Sequence, residues 1–336
     1  MKVLLSHGYF IKEDAKEQKI LKPYPPLGIL YISAWLEKHS IVHEVYDTTF
    51  STMLEFKRHL TEAQPQVIAL YANLMTKLNV IEIMRFVKSK FPDSIVILGG
   101  PDVRHNVEDY LSAGSDIIVI GEGEQTLLEV IQSIQNGNTD QFGHIDGLAY
   151  RSGGELVKTP ERGRLKSLDE LPLPNRAKID MQPYLDTWKN AHGKSAMTVS
   201  TQRGCPYTCK WCSTAVYGQS YRRRSPELVA KELKYLKDTY NPDSIWFVDD
   251  VFTVSHKWLG KFKDALLEQD AVIPFECITR ADRLNEDVIM HLKEAGCFRV
   301  WIGAESGSQR IIDLMDRRVD VNYVKEMIKM AKSIGI

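Results

Sequence analysis

The sequence predicts an α/β protein built as two parallel-sheet domains in tandem. Three observations predict it: strand-like and helix-like segments alternate over residues 1–138, they alternate again over residues 196–336, and the stretch between is rich in turn residues and proline. With 336 residues, each half is long enough to bury its own core. The first half reads as a doubly wound, flavodoxin-like or Rossmann-like domain. The second reads as a partial (β/α) barrel, and residues 139–195 as a connector.

In the first half, apolar or β-branched runs predict strands at 2–6, 41–47, 66–72, 94–98 and 116–120, and helical periodicity predicts helices at 27–39, 50–63, 77–91, 106–113 and 124–135. In such a sheet, ligands sit beyond the carboxyl ends of the strands. Those ends carry Gly99-Gly100-Pro101 and Gly121-Glu122-Gly123-Glu124. Glycine pairs let a backbone approach a large flat ligand, although turn chemistry and acids complementing a helix dipole also account for them. The connector opens with a hairpin signal, 148–151 and 155–158 around Ser152-Gly153-Gly154, and continues into Leu171-Pro172-Leu173-Pro174, too proline-rich for a helix.

In the second half a strand at 196–201 leads into the cysteine-rich stretch. Helices at 226–240, 257–268 and 285–295 alternate with strands at 244–248, 274–279 and 298–303, Ser225 and Pro226 marking the first helix start. A last helix at 321–333 makes four βα units.

Composition excludes several function classes. A net charge of -1 leaves no basic footprint for nucleic acid. No run approaches the roughly 18 apolar residues of a membrane span. The chain opens without a secretory signal pattern, and its five cysteines are an odd number. Reducing, cytoplasmic conditions are therefore expected.

Three of those cysteines, Cys205, Cys209 and Cys212, lie in Arg203-Gly204-Cys205-Pro206-Tyr207-Thr208-Cys209-Lys210-Trp211-Cys212-Ser213. A closed zinc site needs four ligands, and the nearest histidines, His192 and His256, are isolated. A disulfide suits neither the count nor the compartment. Iron-sulfur fits: a complete 4Fe-4S site takes four thiolates, so three on one loop leave one iron open. Cys277 and Cys297 fall in or beside strands and are expected in the core.

The CxxxCxxC loop with Trp211 before its last cysteine resembles the signature of the radical S-adenosylmethionine (radical SAM) family. The resemblance implies a 4Fe-4S cluster whose open iron chelates S-adenosylmethionine, electron transfer to cleave it, and a 5'-deoxyadenosyl radical. It also implies ligand-binding roles for Trp211, for Asp249 and Asp250 toward the amino group, for Arg280 toward the methionyl carboxylate, and for Glu305 and Ser306 toward ribose or methionine. An internal salt network would use the same residues. Arg222-Arg223-Arg224 is expected as a solvated run.

Pro26-Leu27-Gly28, Gly99-Gly100-Pro101 and Gly121-Glu122-Gly123-Glu124 together resemble the cobalamin-binding domain that precedes the radical domain in many such enzymes. The D-x-H-x-x-G motif that ligates cobalt is absent: Leu5 and Phe10 flank His7 where aspartate and glycine would stand. The expected state is base-off cobalamin without a histidine ligand, His7 and His105 being the residues able to contradict it. Residues 168–174 resemble the bridge between the domains. Family barrels have six βα units, so the chain is expected to be a fragment, or a short form that hides an edge.

The resemblance implies a cobalamin-dependent radical SAM methyltransferase acting on an unactivated carbon. Ring closure or rearrangement, a radical enzyme without cobalamin, and a non-catalytic binding protein remain alternatives. A small-molecule substrate and an electron donor such as flavodoxin or ferredoxin are expected, with no nucleic-acid or membrane partner.

Overall fold

The structure is a computed structural model and describes residues 1–139, 142–212 and 217–336. The chain divides into two compact units, Met1–Leu165 with Leu171–Pro183, and Lys166–Glu170 with Tyr184–Ile336.

The first unit runs β1 (Val3–His7), α1 (Glu17–Ile20), α2 (Leu27–Lys38), β2 (Glu44–Tyr46), α3 (Met53–Ala63), β3 (Val67–Tyr71), α4 (Lys77–Lys90), β4 (Ile95–Gly99), α5 (Val107–Ser112), β5 (Ile117–Val119), α6 (Gly123–Gln135), β6 (Leu148–Ser152) and β7 (Glu155–Lys158). Its sheet order is β2-β1-β3-β4-β5-β6-β7, with the first five strands parallel. That order reverses direction between β1 and β3, the switch point where a doubly wound sheet opens a ligand crevice. The strands bury both faces and so read as continuous apolar runs: Val3, Leu4 and Leu5 are all buried, as are Val96, Ile97 and Leu98. Thr52 and Glu55 start α3 with a reciprocal capping box.

The hairpin expected in the connector belongs to this sheet. β6 pairs antiparallel with β5, Ile117 facing Tyr150, and β7 follows on β6. Gly153 and Gly154, at φ 58° and 88°, make the left-handed two-residue turn that such a hairpin requires.

The second unit begins with α7 (Gln182–His192), then β8 (Ala196–Val199), β9 (Gln202–Arg203), β10 (Arg222–Arg223), α8 (Pro226–Tyr240), β11 (Ser244–Phe247), α9 (His256–Glu268), β12 (Phe275–Thr279), α10 (Glu286–Glu294), β13 (Cys297–Ile302), α11 (Gln309–Leu314) and α12 (Val321–Ser333). The proline-rich reading of residues 171–174 did not anticipate α7, which follows that stretch. Pro183 sits in its first turn, where the missing N–H costs nothing, and Tyr184, Leu185 and Trp188 form its buried stripe.

Strands β8, β11, β12 and β13 form one parallel sheet in sequence order. Phe247, Phe252, Phe262 and Phe275 are fully buried against one another, centroids 4.6–6.5 Å apart. Cys277 and Cys297 are buried in neighbouring strands, as expected. Ser225 does not cap α8 with its hydroxyl; its backbone N–H instead donates to Asp169 Oδ1 at 2.8 Å. Among the described residues no helix is long and apolar enough to cross a membrane.

Thr52→Ala removes half of the capping box and is expected to destabilise the first unit by about 1 kcal/mol. Hydrogen bonds from the Thr52 hydroxyl and backbone N–H hold the Glu55 carboxyl below its ordinary range. Its contribution is therefore complete above the unfolded value and lost as pH falls through the lowered folded value. Denaturant unfolding of wild type and variant across that window checks both, and equal stability at neutral pH would contradict the cap.

Candidate active site

The site of the second unit is built where β8 ends. Asp249, just past β11 and 2% exposed, accepts hydrogen bonds from the backbone N–H of Thr201 at 2.8 Å and of Gln202 at 3.1 Å, and from the Thr201 hydroxyl at 2.5 Å. Arg223 Nη2 stands 3.7 Å from its other side. Burial pushes this carboxyl upward, opposed by Arg223 and the three donors. Asp249 was expected to meet a ligand's amino group, but its oxygens are spent on the backbone that launches the cysteine loop.

Two arginines of the run that was expected in solvent are inside, Arg223 and Arg224. The Arg223 side chain is 4% exposed, and its guanidinium lies 3.4 Å from the Trp258 ring centroid and 4.8 Å from that of Phe252. Arg224 is 3% exposed and pairs with the fully buried Glu232. The run is basic because it neutralises buried acids, a need that spacing in the sequence does not reveal.

β9 and β10 pair antiparallel, so the cysteine loop leaves and returns as a hairpin. Gly204, at φ 83°, sits where a Cβ would lie 2.5 Å from the Ser220 carbonyl oxygen. Only glycine fits there. Cys205 is buried, Cys209 half-buried and Cys212 exposed, and all three are free thiols. Burial pushes the Cys205 thiol up, an effect a bound metal would overcome by holding the thiolate. Among the described residues no three Cys, His, Asp or Glu side chains stand close enough to hold a metal ion. The loop thus carries the donor set on one hairpin without drawing it together. Trp211 is 53% exposed, and Ser213 lies outside the described residues.

Cys209 lies among guanidiniums. Arg280 Nη1 donates to its Sγ at 3.3 Å, and Arg317 Nη1 lies 4.0 Å from the same sulfur. Arg280 is held bidentately by Asp282 at 2.8 and 3.1 Å, donates to the Arg317 carbonyl at 2.6 Å, and stacks 4.1 Å from the Tyr207 ring centroid. It was expected to face the methionyl carboxylate of S-adenosylmethionine, and here its own neighbour Asp282 supplies a carboxylate. Thiolates flanked by guanidiniums are the chemistry an anionic iron-sulfur cluster needs, so the donor set fits the group.

Asp250 remains exposed beside Asp249, with burial of its carboxyl region raising its pKa. Glu305, in the left-handed region at φ 61°, is held by Arg317 at 3.4 Å, and Ser306 Oγ accepts from the Ser308 N–H at 3.1 Å. Sequence reasoning missed Arg317, Asp282 and Tyr207, which carry no motif of their own.

In the first unit, the strand-end glycines divide. A Cβ at Gly28 or Gly121 would meet nothing within 4 Å, and one at Gly99 only Val119 at 4.0 Å. At Gly100, φ 114°, it would strike the Ala72 backbone, and at Gly123 it would press on Ile32 at 3.3 Å. Gly28, Gly99 and Gly121 thus leave open space at the carboxyl edge, while Gly100 and Gly123 serve packing. Pro26 caps α2, opening it ahead of Leu27, and Pro101 follows the β4 glycines. Glu122 accepts from the Leu165 N–H at 3.4 Å, and Glu124 is buried in the first turn of α6. His7 is buried, its Nε2 2.9 Å from Asp47 and its Nδ1 accepting from Tyr9 N–H and Thr48 O–H at 3.2 and 3.0 Å. Both ring nitrogens are engaged; His105 is exposed.

Comparison with known proteins matches these two halves. Residues 199–336 match the family model of the Radical SAM superfamily, and residues 18–131 that of the B12 binding domain. An uncharacterized methyltransferase of Pyrococcus horikoshii is 28% identical over 96% of this chain and 70% of its own length. The anaerobic magnesium-protoporphyrin IX monomethyl ester cyclase of Rubrivivax gelatinosus is 24% identical over 100% of this chain and 61% of its own. Among solved structures, the radical S-adenosylmethionine methyltransferase TsrM from Kitasatospora setae, with cobalamin and a [4Fe-4S] cluster bound, superposes at a TM-score of 0.77 and 18% identity, over 100% of this chain and 65% of that one. A match to the B12 binding domain followed by a match to the Radical SAM superfamily, with the cysteine loop at a strand's carboxyl end, makes this chain similar to cobalamin-dependent radical SAM enzymes.

Proposed function

We propose that the chain is the cobalamin-binding and radical-generating part of a methyltransferase that acts on an unactivated carbon of a small molecule. The observation that carries the reading is the CxxxCxxC loop, held by Asp249 beyond the carboxyl end of β8 with Cys209 against two guanidiniums. The named relatives support it, one being a methyltransferase and the fold neighbour another.

When bound, a 4Fe-4S cluster supplies one-electron reductive cleavage of S-adenosylmethionine, and cobalamin supplies a methyl carrier. The chain's residues do the rest. Cys205, Cys209 and Cys212 would hold the cluster and leave one iron open to the methionyl end of S-adenosylmethionine. Asp250, past the end of β11, would accept from its ammonium, and Glu305, fixed by Arg317 past the end of β13, would meet its hydroxyls. Trp211, exposed on the loop, offers a flat apolar face to the adenine. In the first unit the open edge at Gly28, Gly99 and Gly121 would receive a corrin, and His7, engaged by Asp47 and Thr48, would not be the residue to hold it. The electron comes from a flavodoxin- or ferredoxin-class donor in the reducing cytoplasm.

A ring-closing reaction is the second reading, favoured by the cyclase relative that spans the whole of this chain. The two differ in co-products. Methyl transfer leaves S-adenosylhomocysteine as well as 5'-deoxyadenosine; radical cyclisation leaves 5'-deoxyadenosine alone.

Anaerobic reconstitution with iron, sulfide and hydroxocobalamin is expected to give about four irons and one cobalt per chain. With a strong reductant and S-adenosylmethionine, both co-products should then form. Absence of S-adenosylhomocysteine would favour cyclisation, and iron without cobalt would reduce the first unit to a scaffold. Cys205→Ala, Cys209→Ala and Cys212→Ala should each lose the cluster, checked by iron analysis; unchanged iron in any one removes that ligand from the set. Gly204→Ala should lose most of its iron with the far-ultraviolet dichroism preserved, because the added Cβ displaces only the loop hairpin.

A further inference from the structure

From the surroundings of Cys209 we infer that Arg280 and Arg317 tune the reduction potential of the cluster, donating to one of its three protein thiolates rather than binding substrate. The inference rests on the cluster reading above and goes beyond it.

The geometry is one-sided. Of the three loop cysteines, Cys209 has two guanidiniums against its sulfur, Arg280 Nη1 at 3.3 Å and Arg317 Nη1 at 4.0 Å. Both side chains are inside the protein, 4% and 7% exposed, so solvent does little to weaken what they do. Neither is free to swing away. Arg280 is forked onto Asp282 and stacked on Tyr207. Arg317 donates to the Gly303 carbonyl and pairs with Glu305. The two arginines are also linked directly through Arg280 Nη2 and the Arg317 carbonyl. Close by, the Lys210 N–H donates to the Met315 carbonyl at 3.1 Å, fastening the residue after Cys209 to the segment that carries Arg317. The sulfur and its donors therefore share one rigid frame.

Reduction adds one electron to the cluster from a one-electron donor and breaks no bond in the protein. The reduced cluster is more negative than the oxidised one. Hydrogen bonds and positive charge at a ligand sulfur stabilise the more negative state, and they raise the potential. Asp282 lies on the Nε and Nη2 edge of Arg280 and leaves Nη1 to the sulfur, whereas Glu305 engages the same Arg317 Nη1 that stands 4.0 Å from the sulfur, so Arg280 exerts the stronger effect. The consequence is a cluster that a weaker reductant can reduce than the same three cysteines would allow alone.

The test compares the reconstituted wild type with Arg317→Met, Arg317→Lys and Arg280→Met, each assayed for iron and titrated with dithionite in the absence of S-adenosylmethionine, the reduced cluster being followed by electron paramagnetic resonance. Both methionine variants are expected to hold wild-type iron and to reduce at a more negative potential. Arg317→Lys, which keeps the charge but not the fork, should fall between. Wild-type potentials at full iron content would overturn the inference and leave the arginines to bind substrate or S-adenosylmethionine. Loss of iron from Arg317→Met and Arg317→Lys alike would also overturn it, assigning them to loop assembly. A wild type that takes up no iron would sink the cluster reading itself, and this inference with it.

Discussion

The buried carboxylate of Asp249 is the constraint on which the second unit depends. Its oxygens stop three donors at the end of β8 and face Arg223, so the chain leaves the sheet along a fixed path into β9 and the cysteine loop. A carboxylate this deep survives only because each lone-pair direction is used. The same economy explains Arg224 and Glu232, a second buried pair eight residues apart that anchors the start of α8. Removing one member of such a pair leaves the other charge stranded, at a cost of about 3–5 kcal/mol. The loop is positioned, then, by ions buried behind it.

The two units build their crevices by different means. In the first, the crevice is a consequence of topology: strand order reverses between β1 and β3, and what lies beyond is shaped by which glycines face open space. In the second, a sheet whose strands lie in sequence order has no such reversal, and the chemistry must be carried on loops that leave the strand ends. Each loop is then fastened to the next. The cysteine loop is tied to residues 315–317 through Lys210 and Arg317, and those residues to the end of β12 through Arg280. Chemistry borne on loops gains precision only through such ties.

Much was legible because it rests on local rules. Alternating strands and helices gave the fold class, and helix 321–333, legible in its periodicity, is capped in the structure by Asp320. The cysteine spacing named the donor set because three thiols within eight residues leave little other chemistry. The misreadings have one cause. Arg223 and Arg224 looked solvated, Asp249 and Arg280 looked free for a ligand, and all four are paired with groups distant in sequence or turned toward a neighbour two residues on. Gly99 and Gly100 look alike in sequence, yet one borders open space and the other presses on the Ala72 backbone.

By itself, the sequence determined the class of fold, the order of its elements and the close spacing of three cysteines, since periodicity, turn chemistry and residue spacing act over a few residues. Only the tertiary structure decided which charged groups are left to act on a ligand. A charged side chain's role depends on what stands within about 4 Å of it and how deeply water is excluded, and both are fixed by segments that the chain brings together from dozens of residues away.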